Sequence, residues 1–199
     1  MFKKGIFLIC LTSLLSVCHL SAQDNFSFGP RVGLNFSNVS KVDDNTKSLT
    51  GLAVGLTTTY SISETTGLTV DILGSHEGYA LGDNEFKSTY LQIPILFDVF
   101  FGELGSAFRP KVYAGITPGF LLSAKVNDDK IEDLDGFNKF NLALTGGLGF
   151  NARVASRIWL NADLRAYLGM TDVSDGGDKN AISTIQPSIG LCYGLSRLD

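Results

Sequence analysis

The chain has 199 residues, a net charge of −4 and 22 glycines, with only 18% of its residues charged. That length suits one domain, and the lack of any basic run or stripe argues against a nucleic-acid partner. Of its three cysteines, Cys10 and Cys18 fall within the first 22 residues, so Cys192 stands alone beyond them and cannot form an internal disulfide there.

Met1-Phe2-Lys3-Lys4 precedes an apolar stretch from Gly5 to Val17, and Leu20-Ser21-Ala22-Gln23 follows. Charged, apolar and small-residue regions in that order form a cleaved secretory signal. Cleavage is expected after Ala22, which makes residues 1–22 the signal peptide and 23–199 the mature domain. The apolar stretch falls short of the roughly 20 residues that a spanning helix needs. Leu15-Ser16-Val17-Cys18 also has the outline of a lipobox, which would lipidate Cys18 instead, although Val17 stands where that motif takes Gly, Ala or Ser.

From Phe26 to Ser37 every even position is apolar or Pro, and every odd one is Gly, Ser, Asn or Arg. A period of two is a strand. After the polar stretch Asn38 to Thr50, a second segment sets Leu52, Val54, Leu56, Thr58, Tyr60 and Ile62 against Gly, Ala, Thr and Ser. A tight connection near Ser63-Glu64-Thr65-Thr66 leads to a third, with Leu68, Val70 and Ile72 on one face, Thr69, Asp71 and Ser75 on the other, and Leu73 out of pattern. Fraying is expected toward His76, followed by a loop from Tyr79 to Phe86.

The fourth segment places Leu91, Ile93, Ile95, Phe97, Val99 and Phe101 opposite Tyr90, Gln92, Pro94, Leu96 and Asp98. Pro94 is awkward there, because proline cannot donate to a ladder and usually marks an edge or a bulge. A turn through Gly102-Glu103-Leu104-Gly105 starts the fifth, where Phe108, Val112, Ala114, Ile116, Phe120 and Leu122 oppose Arg109, Lys111, Tyr113, Gly115, Thr117 and Gly119. Centring this hairpin between Leu104 and Gly105 puts Asp98 opposite Lys111.

An acidic loop around Asn127-Asp128-Asp129-Lys130 leads to the sixth segment, with Phe140, Leu142, Leu144, Leu148 and Phe150 against Lys139, Asn141, Thr145, Gly147, Gly149 and Asn151. A short turn at Arg153 to Ser156 delivers the seventh, Ile158, Leu160, Leu164, Leu168 and Met170 against Trp159, Asn161, Asp163, Arg165, Tyr167 and Thr171. Beyond the loop Asp175-Gly176-Gly177-Asp178, the eighth carries Ile185, Ile189, Leu191, Tyr193 and Leu195.

One face of each segment is fit for lipid and the other is small, polar or charged. The expected fold is therefore all-β, an eight-stranded antiparallel up-and-down transmembrane β-barrel preceded by a signal peptide. Connections after even segments are short and those after odd ones longer and more polar, which separates a short-turn rim from a long-loop rim as in outer-membrane barrels. With the first segment running up from the periplasm, outward Phe26, Phe28, Tyr60, Phe101, Phe108, Phe150 and Tyr193 gather at the short-turn rim, and Phe36, Phe120 and Phe140 at the other, as two interfacial girdles would.

A barrel of about eight strands has room inside for side chains and little else. Its inward charges, Arg31, Asp71, Asp98, Arg109, Lys111, Asp163 and Arg165, read as a structural plug of paired groups. His76 is flanked by Ser75 and Glu77, but neighbours in a strand point to opposite faces, so Ser and His cannot act as nucleophile and base. A lone His and the acidic pair Asp128-Asp129 lack metal-ligand spacing. No catalytic, cofactor-binding or metal-binding residue is assigned, and neither enzymatic activity nor a cofactor is expected.

Val32-Gly33-Leu34-Asn35-Phe36-Ser37, Tyr90-Leu91-Gln92-Ile93-Pro94-Ile95, Val112-Tyr113-Ala114-Gly115 and Leu164-Arg165-Ala166-Tyr167-Leu168-Gly169 resemble the outer-membrane β-barrel family that includes the PorT-like proteins of Bacteroidetes. The resemblance implies location in the cell outer membrane and makes Pro94 a habitual residue of the fourth strand. Ser188, Gly190, Tyr193 and Leu195 resemble the C-terminal signal read by the barrel-insertion machinery, although the chain continues through Ser196-Arg197-Leu198-Asp199. The function expected is that of a small integral outer-membrane barrel with a structural or loop-mediated role. Its partners would be outer-membrane lipid, the insertion machinery, and an envelope or secretion-system protein. The alternatives are a narrow pore or an accessory component of transport or secretion, and a soluble lipocalin-like ligand binder. The last needs an apolar interior and a polar exterior.

Overall fold

The computed structural model describes residues 25–39, 46–81, 84–103, 105–126, 129–130, 139–170 and 182–195. The expected signal peptide (residues 1–22, with Cys18 and Ala22), Asn127, Asp128, Thr171, the loop at 175–178 and residues 196–199 lie outside them. The strands are β1 (Phe26–Val39), β2 (Thr46–Ser61), β3 (Thr66–Leu81), β4 (Asn84–Gln92), β5 (Ile95–Phe100), β6 (Phe108–Val126), β7 (Asp129–Lys130), β8 (Phe140–Ala155), β9 (Ile158–Gly169) and β10 (Ile182–Gly194). Every pairing is antiparallel, and β10 pairs with β1 from Ser27↔Gly194 to Val39↔Ile182, so the sheet closes on itself.

β4 and β5 are two halves of one stave. The register to β3 is the same on both sides of the break, Leu73↔Gln92 and Val70↔Ile95, and so is that to β6, Gln92↔Gly119 and Ile95↔Ile116. Pro94 therefore corrects the expectation of an edge or bulge. It removes one donor from an interior stave, while its carbonyl still accepts from Asp71 N at 3.0 Å and Ile93 N donates to the Pro118 carbonyl at 2.9 Å. β7 pairs only with β6, beyond the barrel wall. Eight staves remain, and the fold is the closed antiparallel barrel that the alternation requires.

The phase of each segment holds. Outward Leu144, Leu148 and Ile189 are 49%, 59% and 55% exposed, whereas inward Thr145, Asp71 and Asn35 are at most 1% exposed. This polarity is the reverse of a lipocalin-like interior. Leu73, out of pattern in the sequence, is fully buried in the lumen, where Leu96, Phe100 and Tyr90 also point inward. The girdles form as grouped. Phe26 stands opposite Tyr60, Phe28 opposite Tyr193, and the Phe108 and Phe150 rings lie 5.1 Å apart at the short-turn rim. At the other rim the Phe120 and Phe140 rings are 5.5 Å apart.

Strand ends differ from the sequence reading. β1 and β2 take residues from the supposed polar stretch 38–50, β3 does not fray at His76 but runs to Leu81, and β4 begins at Asn84, which leaves far less than a loop from Tyr79 to Phe86. Above the bilayer a ladder needs only a neighbour for its backbone groups, so the strand persists where its apolar face has ended. For the same reason Asp129-Lys130 of the acidic loop are paired. β8 runs on through Ala155, past a bulge between Arg153 and Ala155, so the turn falls at Ser156-Arg157 instead of spanning Arg153 to Ser156.

The β5–β6 register is also shifted. Asp98 stands opposite Tyr113, and Lys111 opposite Phe100. Gly102 and Gly105 adopt φ of 117° and 89°, and the hairpin they shape is centred one residue later than Leu104/Gly105, which moves every cross-strand partner by two.

Candidate functional site

The described charged side chains cluster most densely in the barrel interior, and that cluster is built from five staves. Arg31 comes from β1, Asp71 from β3, Asp98 from β5, Lys111 from β6, and Asp163 and Arg165 from β9. Each points inward because strand alternation puts it on the polar face, and each is no more than 5% exposed.

Asp163 is the hub. One of its carboxylate oxygens accepts a short hydrogen bond from Arg31 Nη1 and lies 3.6 Å from Arg165 Nη2; the other is 3.2 Å from Lys111 Nζ. Arg31 further donates to Ser188 Oγ at 3.0 Å and Thr57 Oγ1 at 3.3 Å. Arg165 Nη1 reaches Asp71 Oδ2 at 2.5 Å, across a barrel in which β9 and β3 are four staves apart on either way round. This contact spans the full diameter. Lys111 Nζ is also 3.7 Å from Asp98 Oδ1, and Thr69 donates to Asp98 Oδ2 at 2.6 Å. Asp98 and Lys111 thus meet on a diagonal, even though they are not register partners.

Glycines on β8 make room for this cluster. A Cβ on Gly147 would come 2.6 Å from the Tyr113 hydroxyl, and one on Gly149 would collide with Asp163 Oδ1. The Tyr113 hydroxyl donates to the Leu164 carbonyl at 3.2 Å, with Lys111 Nζ 5.2 Å from its ring centroid.

Toward the long-loop rim the charges give way to a mainly neutral layer. Gln186 donates to Asn35 Oδ1 at 2.7 Å, Asn35 donates to Ser75 Oγ at 2.8 Å, and Tyr167 donates to Gln186 Oε1 at 3.0 Å. Gln92 donates to Glu77 Oε1 at 2.7 Å. Toward the short-turn rim Arg109 lies over Phe100, 4.1 Å from the ring centroid, and donates to the Glu64 carbonyl at 2.6 Å.

All seven inward charges read from the sequence are buried here, and Glu77 joins them as an eighth. It was missed because the third segment was ended at His76; carrying its alternation two residues past Ser75 would have found it. Among the described residues Arg31, Arg109, Lys111 and Arg165 then balance Asp71, Glu77, Asp98 and Asp163 in number, four buried lumen charges of each sign. Such a set can neutralise and fill a lumen.

Ser75 and His76 do point apart. Ser75 Oγ faces the lumen, while His76 Nδ1 is 2.9 Å from Thr89 Oγ1 on the outer wall. Among the described residues no group of three or more His, Cys, Asp or Glu side chains could hold a metal ion.

The family of outer membrane protein β-barrel domains matches residues 21–175, a stretch that ends before β10, the strand that closes the barrel. Neisserial surface protein A is similar at 17% identity with a TM-score of 0.59, covering 85% of this chain and 96% of that one. OprG of Pseudomonas aeruginosa is similar at 16% identity with a TM-score of 0.51, covering 87% and 98%. The outer membrane enzyme PagL is similar at 16% identity over 80% of this chain and 97% of that one, with a TM-score of 0.48. No curated protein matches the chain.

Proposed function

The chain belongs to the outer membrane protein β-barrel domain family, and from that premise we propose that it is a plugged barrel acting through its rims and loops, not by conduction or catalysis. It is a small integral protein of the outer membrane, with its aliphatic wall in lipid. The observation that carries the proposal is the charge-balanced lumen. Asp163 holds three cations at once and Arg165 reaches across the diameter, so the bore is blocked at mid-height by groups that cannot move apart without stranding a buried charge.

Within the family, the stretches around Val32, Pro94, Tyr113 and Arg165 support a place among the PorT-like barrels of Bacteroidetes. The order of Lys3-Lys4, the apolar stretch and Ser21-Ala22-Gln23 supports export through a signal peptide of residues 1–22, leaving 23–199 as the barrel domain. Alternate Tyr193 and Leu195 on the last strand support its recognition by the insertion machinery. The opposed directions of Ser75 and His76 support a non-enzymatic role.

Planar-bilayer recording of the purified barrel tests the reading. No stable large-conductance state is expected. Reproducible porin-like conductance would overturn it in favour of the narrow pore.

A further inference from the structure

The outward wall changes chemistry above the aliphatic band. On β4 and β6 Leu91 stands opposite Phe120, and beyond the bulge toward the long-loop rim the outward register pairs are Thr89 with Ser123 and Lys87 with Lys125. Two lysines directly opposite one another destabilise a sheet unless an anion meets them. The backbone register continues the series, for Lys130 of β7 lies opposite Lys125.

Depth gives the anion its source. Lys87 is four residues beyond Leu91, about 13 Å along the strand at ~3.3 Å per residue. That places it above the Phe120–Phe140 ring pair, on the headgroup side of the interface. The wall is indented there. A cavity of about 200 Å³ is lined by Thr50, His76, Lys87, Thr89 and Lys125, and Gly78, the register partner of Lys87, adds no side chain to it. Glu85 lies 2.9 Å from Lys87, but the two are 48% and 42% exposed, so the pair is weak and an incoming anion can compete with it.

We propose that this indentation binds the phosphate of an outer-leaflet lipid headgroup, held between Lys87 and Lys125 on the lipid-facing wall. The ammonium groups supply compact charge for phosphate oxygens, and the Thr50 and Thr89 hydroxyls at the rim of the indentation can donate to the same group. The site rests on the outer-membrane reading above and adds a ligand class to it.

The test uses the full barrel in phosphatidylcholine nanodiscs carrying a minor fraction of either phosphorylated or dephosphorylated lipid A, with lipid retained after detergent extraction read by native mass spectrometry. Heat-modifiable gel mobility first reports whether each barrel has folded in lipid. A wild-type chain that does not fold there sinks the barrel reading itself; one that folds without discriminating between the lipids sinks only the site.

Wild type should retain the phosphorylated lipid preferentially, and Lys87→Gln with Lys125→Gln should cut that retention on the order of fivefold per lysine removed. Lys139→Gln, just before β8 and outside the indentation, should leave it unchanged. Glu85→Gln, which removes a carboxylate that competes for Lys87, should raise it, and this arm decides the matter if the double variant does not fold. Equal retention of the two lipids, wild-type retention in the double variant, an equal loss in Lys139→Gln, or no gain in Glu85→Gln would overturn the proposal. Inorganic phosphate that protects the barrel from heat as well as the lipid does would overturn the lipid assignment.

Discussion

Replacing Asp163 by Asn removes the one carboxylate that touches three cations. At an effective dielectric of about 20, its attraction to Lys111 Nζ at 3.2 Å and to Arg165 Nη2 at 3.6 Å is roughly 5 kcal/mol each before desolvation. Most of that gross attraction offsets the cost of taking the ions out of water, and the net penalty for breaking such a group is about 3–5 kcal/mol. Lys111→Met should also destabilise the barrel, since it takes from Asp98 its ion-pair partner and leaves Asp163 with two cations in place of three. Combining the two changes removes one charge of each sign and restores the balance, so the double variant should be more stable than the sum of single effects by about 1–3 kcal/mol. Urea unfolding in lipid vesicles measures all three variants, and the emission of Trp159, the single tryptophan, reports it. Additivity within about 0.5 kcal/mol would refute the reasoning, because it would mean that lumen solvent screens the two charges independently.

Leu144→Arg places a cation on the lipid face near mid-height and should cost about 2–4 kcal/mol, seen as a fall in folded protein recovered from membranes; a yield equal to wild type would reject the assigned face. Cys192 is buried to 1% exposure and accepts a hydrogen bond from Asn161 Nδ2 at 3.4 Å, so a small charged thiol reagent should not label the folded barrel and should label it fully in urea. Rapid labelling of the folded form would reveal a lumen open to solutes.

Faces were legible in the sequence because a strand's period of two is local, and each of Arg31, Asp71, Lys111 and Asp163 declares its side through its immediate neighbours. Leu73 was legible as an anomaly, but only the lumen shows why an apolar residue belongs there. Register was less legible. The β5–β6 hairpin turns on where two glycines take positive φ, and an error of one residue at its centre exchanged Tyr113 for Lys111 as the partner of Asp98. Strand ends beyond the bilayer were illegible by apolar pattern, which is how Glu77 and the outward Lys87–Lys125 pair escaped notice. Contacts between non-adjacent staves leave no trace in any window of sequence. Nothing near Arg165 announces Asp71, which is 94 residues away in the chain.

The diametric contact between Arg165 and Asp71 has a mechanical meaning. A hoop of backbone hydrogen bonds resists stretching around its circumference but yields easily to squashing into an ellipse, since flattening breaks no ladder bond. A strut between opposite walls, braced to either side by Asp163 and Arg31, opposes that softer deformation and holds the cross-section against lateral pressure from the lipid. It also joins the two halves of the wall into one unfolding unit, so no pair of staves can peel away while the rest stands.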